Sequence, residues 1–137
     1  MDYFKELYNL LDNCDKSQDI PVSALLVNSN SEIVAKSYNT RKLNNNISEH
    51  AEINVINELI SNISYQNLSE YTLYTTLKPC TMCTGAIEQV KIRKVFYYVE
   101  NKFNTYESPN IEYIHLRNEK NIDLYVKKLQ NCFKKLR

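Results

Sequence analysis

The chain has 137 residues, with 17 lysines and arginines against 16 aspartates and glutamates and 43% hydrophobic side chains. This length fits one domain with its own core, and a charged fraction of 24% is too ordinary for a disordered chain. The single glycine, Gly85, excludes glycine-rich phosphate or dinucleotide loops, because those loops need several glycines. The net charge of +1 argues against nucleic-acid binding by bulk charge alone, although a local basic patch remains compatible with it.

Helical and strand patterns alternate along the chain. The apolar residues near the start recur at helical spacing, and β-branched and aromatic residues concentrate in several short runs. In chain order these patterns predict a helix over 3–14, a hairpin of strands over 22–27 and 32–38, a helix over 49–62 capped by Ser48, a strand over 71–77, a helix over 80–90, strands over 92–99 and 111–116, and a helix over 121–136. Helices alternating with strands after a hairpin predict a single α/β layered domain over 1–137 with a mixed sheet.

The sequence also predicts a compartment. No apolar run approaches the roughly 18 residues needed to span a bilayer. The first residues are charged and amphipathic, unlike a signal peptide. We therefore expect a cytoplasmic protein without a membrane partner. In that reducing compartment the four cysteines are expected to be metal ligands or redox thiols rather than disulfides.

Two short motifs stand at the starts of predicted helices. The first is His50-Ala51-Glu52, and the second is Pro79-Cys80-Thr81-Met82-Cys83. Two cysteines three residues apart in a first helical turn can turn their sulfurs toward one point, where the helix N-terminus favours thiolates. One imidazole and two thiolates form a partial shell for Zn²⁺, and a site with three protein ligands leaves a position for water. Glu52 can then take a proton from that water and deliver it to a ring nitrogen or a leaving amine.

Two other interpretations of the cysteines remain open. The Cys80/Cys83 pair could be a thioredoxin-like redox pair, although that motif leaves His50 and Glu52 without a role. A structural zinc would need a fourth ligand, for which the candidates are Cys14, Cys132 and His115. Cys14 and Cys132 lie on apolar helix faces, where a free cysteine is typically a small buried hydrophobe, and His115 is expected to be structural.

The spacing HxE followed by PCxxC is typical of zinc nucleobase deaminases. The chain resembles the cytidine deaminase superfamily, and within it most the bacterial tRNA-specific adenosine deaminases. The resemblance covers nearly the whole chain and is carried by these segments: 19–24, Tyr38-Asn39, 48–53 with the His-Ala-Glu motif, 72–80, Cys83-Thr84-Gly85-Ala86-Ile87, 93–95 and 132–137.

That resemblance implies a fold, a reaction and a set of contacts. The fold would be a three-layer α/β/α domain with a mixed central sheet of about five strands. The reaction would be hydrolytic deamination of adenosine to inosine at the wobble position of a tRNA anticodon, in a homodimer. Each subunit would hold one Zn²⁺ with a bound water or hydroxide. The implied residues are the zinc ligands His50, Cys80 and Cys83, the proton shuttle Glu52, and the substrate contacts Asn39, Val22, Ala51 and Phe133.

Departures from the family pattern point to a second reading of the substrate. Lys78 stands where the family usually has Glu, Ser23 where it has Gly, and the segment after Val99 lacks the family's glycines and is shortened. The run 72–87 is also similar to fungal-type cytosine deaminases. The alternative function is therefore a small-molecule deaminase of a free base, nucleoside or nucleotide, similar to cytosine or guanine deaminases.

Two further expectations concern surfaces. The last helix carries a basic set that could hold RNA backbone or form an ordinary solvated face: Lys127, Lys128, Lys134, Lys135 and Arg137. Gly85 follows the second cysteine of the zinc motif by two residues. We expect its missing side chain to permit close approach between its helix and a neighbouring element.

Overall fold

A computed structural model of the chain describes residues 2–102 and 106–135. The elements occur in the predicted order: α1 Tyr3–Ser17, β1 Ser23–Val27, β2 Ile33–Tyr38, α2 Ala51–Ile63, β3 Thr72–Leu77, α3 Thr81–Gln89, β4 Lys94–Val99, β5 Glu112–His115 and α4 Glu119–Lys135. The predicted contacts of Arg137 lie outside the described residues. None of the helices in the described ranges is long and apolar enough to cross a membrane.

The five strands form one mixed sheet in the order β2-β1-β3-β4-β5. β1 pairs antiparallel with both β2 and β3, which confirms the predicted hairpin. β3, β4 and β5 run parallel, and each crossover between parallel neighbours starts at the same edge of the sheet. The end of β3 at Leu77 therefore lies beside the end of β4 at Val99. That edge carries the chain segments that lead into the second predicted motif.

Alternating side chains of β1 enter two hydrophobic clusters on opposite faces of the sheet. Ala24 and Leu26 pack on one face with buried residues of α2 and α3. Leu25 and Val27 pack on the other face with α1 and α4. Burying one such leucine contributes on the order of 2 kcal/mol. Helices cover both faces, so the expected three-layer α/β/α arrangement is confirmed.

The start of α2 differs from the prediction. Ser48 is not the cap, because its hydroxyl donates to Asn46 Oδ1 at 2.8 Å in the preceding loop. The cap position belongs to His50, whose backbone oxygen accepts the first helical bond from Asn54 N–H at 2.9 Å. Polar residues upstream of a helix can bond within their own loop, and Ser48 shows that competition.

Gly85 does not serve the close approach expected of it. A Cβ built at this position meets no heavy atom of a neighbouring element within 4 Å, and the backbone φ is not positive. The glycine lies in the interior of α3, where no conformational need requires it. The close-approach prediction was wrong.

Candidate active site

The side chains of His50, Cys80 and Cys83 converge on one point. His50 Nδ1 lies 3.6 Å from Cys80 Sγ and 3.5 Å from Cys83 Sγ. The three ligand atoms all lie within 4.8 Å of one another. A tetrahedral ion with Zn–N of about 2.0 Å and Zn–S of about 2.3 Å separates nitrogen from sulfur by about 3.5 Å. The observed separations therefore fit a single Zn²⁺ ion, and the donor set is one that zinc prefers.

Two helix N-termini position these ligands. His50 is the N-cap of α2 and Cys80 is the N-cap of α3, while Cys83 lies in the first turn of α3. Neither residue makes a side-chain capping hydrogen bond. A cap side chain normally satisfies a free backbone N–H, so both residues direct their polar atoms to the shared point instead. The positive ends of both helices favour thiolate there.

The cysteine pair is poised to act as a thiolate ligand. The hydrogen bond from Cys83, together with a smaller contribution from His50, lowers the pKa of Cys80 to about 4. The same hydrogen bond, with burial, raises the pKa of Cys83. The hydrogen bond to Cys80 also raises the pKa of His50. One sulfur is therefore already deprotonated at neutral pH, in the form that binds metal.

Glu52 lies beside this cluster on the first turn of α2. Its side chain is buried, with 4% of the residue exposed. Burial raises the pKa of Glu52 to about 7, and the thiol of Cys83 hydrogen-bonds to the carboxylate. A carboxyl group with a pKa near neutrality can both accept and return a proton.

The cluster lies in an open cavity of about 680 Å³. The cavity combines an apolar part, contributed largely by α4 and the approach to β1, with a polar floor. Its lining includes each of the sequence-predicted substrate contacts, Val22, Asn39, Ala51 and Phe133, as well as His50, Glu52 and Cys80. Such volumes are typical of small-molecule and nucleotide sites.

The amide of Asn39 is held in one orientation. Its Nδ2 donates to the carbonyl of Ile20 at 3.1 Å, and its Oδ1 accepts from Arg41 N–H at 3.0 Å. The residue is 7% exposed, and each amide end retains capacity for one more bond. Phe133, by contrast, is 47% exposed on α4.

Three other sequence candidates lie outside the metal cluster. The thiol of Cys14 is fully buried and contacts the carbonyls of Val22 and Asn39. Cys132 contacts the carbonyl of Asp19. His115 stacks on the ring of Tyr97 at 5.0 Å, and its Nε2 bonds to the carbonyl of Tyr98. Among the residues described by the structure, no cysteine or histidine besides the converging three reaches the point.

Two other expectations about individual side chains change. Lys128 points to α1, where its Nζ lies 2.9 Å from Asp12 and 3.3 Å from Asp15, so its charge is already neutralised. The hydroxyl of Ser23 donates to the carbonyl of Leu7 at 2.7 Å. It therefore bonds to α1, and Ser23 is not among the residues that line the cavity, although the preceding Val22 is.

Sequence reasoning missed several cavity residues. Ile20 and Arg41 line the wall beside Asn39, and Lys78 lines the wall beyond Cys80. The only signal for Arg41 is its place two residues after Asn39, and Ile20 is an exposed apolar residue directly before Pro21. Lys78 stood out as a departure from the family pattern, but no role followed from the sequence.

Residues 1–99 match the family model described as the cytidine and deoxycytidylate deaminase zinc-binding region. The match covers more than half of the chain, and its residues supply the converging ligands. The chain therefore belongs to the cytidine and deoxycytidylate deaminase family, and its ligand cluster is a site for one Zn²⁺.

Within this family the chain is similar to proteins named tRNA-specific adenosine deaminase. It is 40% identical to the one from Rickettsia bellii over 96 residues, which are 69% of this chain and 66% of the relative. It is 37% identical to that of Rickettsia felis over 100 residues, 72% of this chain and 69% of the relative. The chain thus spans about two thirds of the length of these curated relatives.

Solved structures show the same fold. One, from a study of A-to-I editing by tRNA:A34 deaminases at the wobble position, has a TM-score of 0.71 and 26% identity, covering 81% of this chain and 96% of the other. The guanine deaminase of Bacillus subtilis has a TM-score of 0.66 and 22% identity, with 91% and 90% covered. The second likeness bears on the fold alone.

Proposed function

We propose that this protein is a zinc-dependent hydrolytic deaminase that converts adenosine to inosine at the wobble position of a tRNA anticodon. The observation that carries the proposal is the buried Glu52 carboxyl beside three converging zinc ligands on the floor of an open cavity. The relatives named tRNA-specific adenosine deaminase support the choice of substrate.

In this proposal His50, Cys80 and Cys83 hold the ion, and the chemistry that Zn²⁺ supplies in a three-ligand site is activation of water as a nucleophile. Glu52 takes a proton from the attacking water and delivers it to the adenine ring nitrogen. In a second transfer the same carboxyl group takes the remaining proton of the hydroxyl added at C6 and delivers it to the amino group, and the bond between C6 and that nitrogen then breaks. Water and adenosine thus yield inosine and ammonia, and Glu52 returns to its starting form.

The open cavity is compatible with a target base that is part of an RNA strand. The target base must leave its stack to reach the floor, which costs least in an already single-stranded loop. Asn39, held by Ile20 and Arg41, offers an oriented amide to the base edge. Val22 and Ala51 line the same space, and the exposed ring of Phe133 offers a stacking surface at its rim.

The proposal also covers the domain organisation, the compartment and the oligomeric state. Residues 1–137 form one deaminase domain, supported by two hydrophobic clusters that share one sheet. The protein acts in the cytoplasm, where tRNA is found. It works as a homodimer. This part of the proposal is supported by two large apolar residues on the loop before α2, Leu43 and Ile47, which are 58% and 68% exposed. Light scattering at several concentrations tests the last point, and a molar mass of one chain throughout would contradict it.

A substrate panel tests the reaction. The zinc-loaded protein is incubated with an anticodon stem-loop that carries A at the wobble position, and separately with cytosine, cytidine, dCMP, adenosine and guanine. We expect inosine in the RNA and no ammonia from the small molecules. The same stem-loop with A moved one position away is the matched control. Turnover of a small molecule without turnover of the RNA would replace this proposal with the small-molecule alternative.

A further inference from the structure

Lys78 is a buried cation at the edge of the candidate active site. It follows the last residue of β3 and precedes Pro79 and Cys80. Only 10% of its side chain is exposed. A buried ammonium group is costly unless it is paired, so its surroundings must compensate the charge.

Four groups provide that compensation. The carboxylate of Glu107 forms a close ion pair with Lys78 Nζ, and Glu100 lies 3.6 Å from it. The rings of Tyr97 and Tyr113 lie 5.2 Å and 5.0 Å from Nζ, within the range of cation–π attraction. The side chain therefore stays charged.

The backbone of Lys78 contacts the same part of the chain. Its N–H donates to the carbonyl of Val99 at 2.9 Å, and its carbonyl accepts from Asn101 Nδ2 at 3.4 Å. Glu100 is tied a second time, because the Tyr97 hydroxyl donates to its carboxylate at 2.6 Å. Lys78 thus joins the end of β3 to the residues that follow β4.

Those residues form part of the cavity wall. Glu100, Asn101 and Lys102 line the same cavity as His50 and Glu52. We propose that Lys78 is a positioning residue for substrate binding, because its ion pairs with Glu100 and Glu107 and its bond to Asn101 hold this wall in place beside the zinc ligands. The kinetic part of this inference rests on the proposed function, whereas the structural part does not.

Loss of the cation has a defined physical result. A neutral residue at position 78 removes the counter-charge that Glu100 and Glu107 share, and these two half-exposed carboxylates are then free to turn toward solvent. The wall then moves, while Glu52 and the three zinc ligands keep their contacts on α2 and α3. Substrate binding is affected more than the chemical step.

Limited proteolysis tests the structural part without any substrate. In native Lys78→Met protein we expect trypsin to cut after Lys102 at least about tenfold faster than in wild type, because Glu100, two residues before this exposed lysine, loses its ion pair and cleavage needs the chain to detach locally. Lys78 precedes proline and is not itself a trypsin site, so the substitution removes no cleavage. Lys94→Met is the matched control, because Lys94 pairs with Glu112 at 3.9 Å on the surface of adjacent strands. Equal cutting after Lys102 in wild type and Lys78→Met would overturn the inference.

Kinetics test the effect on substrate binding, with whichever panel substrate the wild type converts. For Lys78→Met we expect KM to rise about tenfold with kcat within about twofold, and full zinc content. In Lys78→Glu we expect KM to rise as well, and in the charge-swapped Lys78→Glu/Glu107→Lys protein we expect KM to return most of the way to the wild-type value. If Lys78→Met does not fold, Glu107→Gln provides the same test.

The two possible failures are distinguishable. An unchanged KM, or no recovery in the swapped protein, would overturn the role of Lys78. A wild type that leaves the stem-loop untouched but converts a small molecule would overturn the proposed substrate, and the proteolysis result would still stand.

Discussion

His50 and Cys80 occupy positions where a helix usually has serine, threonine, aspartate or asparagine. Each helix thereby forgoes a cap worth about 1 kcal/mol. The binding free energy of a structural or catalytic zinc ion is far larger than this loss. The two residues are therefore better explained as ligands than as parts of their helices, which is why both motifs coincide with a helix start.

Replacement of Glu52 by glutamine tests its proton transfer. The amide has the same shape but cannot accept and return a proton, so we expect kcat to fall by about 10² to 10⁴. Zinc content should stay at the wild-type level, because the carboxylate is not among the converging ligand atoms. Metal analysis and single-turnover deamination are the measurements.

The matched control for that experiment is Glu58→Gln, an exposed glutamate on the same helix. It should retain wild-type kcat and zinc content. Substantial deaminase activity in Glu52→Gln would show that another group moves the proton.

Cysteine variants separate the zinc ligands from the other thiols. Burial raises the pKa of Cys14 to about 11, so at pH 8 this thiol is protonated and unreactive. We expect Cys14→Ala and Cys132→Ala to keep full zinc content, and Cys83→Ala to lose it. Atomic emission on purified protein measures this. Zinc loss in Cys14→Ala or Cys132→Ala as complete as in Cys83→Ala would instead support the structural-zinc interpretation.

At the scale of single residues, the sequence predicted what depends on local spacing. Cys80 and Cys83 are three residues apart at the start of α3, so periodicity alone places their sulfurs on one face, while His50 and Glu52 are separated by a single residue at the start of α2. The surroundings of Lys78 were beyond reach for the opposite reason. Its partner Glu107 lies 29 residues away, in an irregular segment whose path no pattern specifies.

The helices and strands were predicted well because their apolar patterns are regular. Their ends were predicted less well, because a polar side chain near a helix end can bond either to the helix or to the adjoining loop. α1 continues to Ser17, three residues beyond the predicted end, and ends at Gln18, which adopts a left-handed conformation. No glycine or asparagine marks that stop, which is why the pattern did not reveal it. Before α2, the hydroxyl of Ser48 hydrogen-bonds to Asn46 in the loop and does not cap the helix.

The interior of α3 offers a stabilising substitution. Gly85→Ala adds a methyl group where no neighbouring element lies within 4 Å, and the backbone is already helical. We expect the free energy of unfolding to rise by about 0.5 to 1 kcal/mol, because alanine loses less backbone entropy than glycine. Urea denaturation measures the change. A fall in stability would mean that another chain packs against this face.

At the scale of the whole molecule, the lysines of α4 fall into two groups with different surroundings. Lys128 holds α4 to α1 through Asp12 and Asp15 and lies 5.5 Å from the ring of Tyr8. Lys134 and Lys135 are exposed in the last turn described by the structure. The same helix contributes Phe133 to the cavity rim. We therefore propose that the end of α4 meets RNA beside the site, whereas its middle packs against α1.

RNA binding at several salt concentrations distinguishes the two groups. We expect Lys134→Gln/Lys135→Gln to weaken stem-loop binding and to reduce the slope of log affinity against log salt by about 1.4, for two lost phosphate contacts. Lys128→Gln should leave that slope unchanged and lower stability by less than about 1 kcal/mol. Fluorescence anisotropy measures binding. A slope reduced equally by Lys128→Gln would refute the division.

His50 and Cys80 stand 30 residues apart, and β3 lies between them in the chain. The ion is held tightly only when β3 is paired with β1 and both helices are docked, since metal binding is linked to folding. A substitution that loosens the sheet therefore weakens zinc affinity without touching a ligand. We expect the amount of folded protein in a cell to follow its zinc supply, so that scarcity of the metal removes the protein as well as its activity.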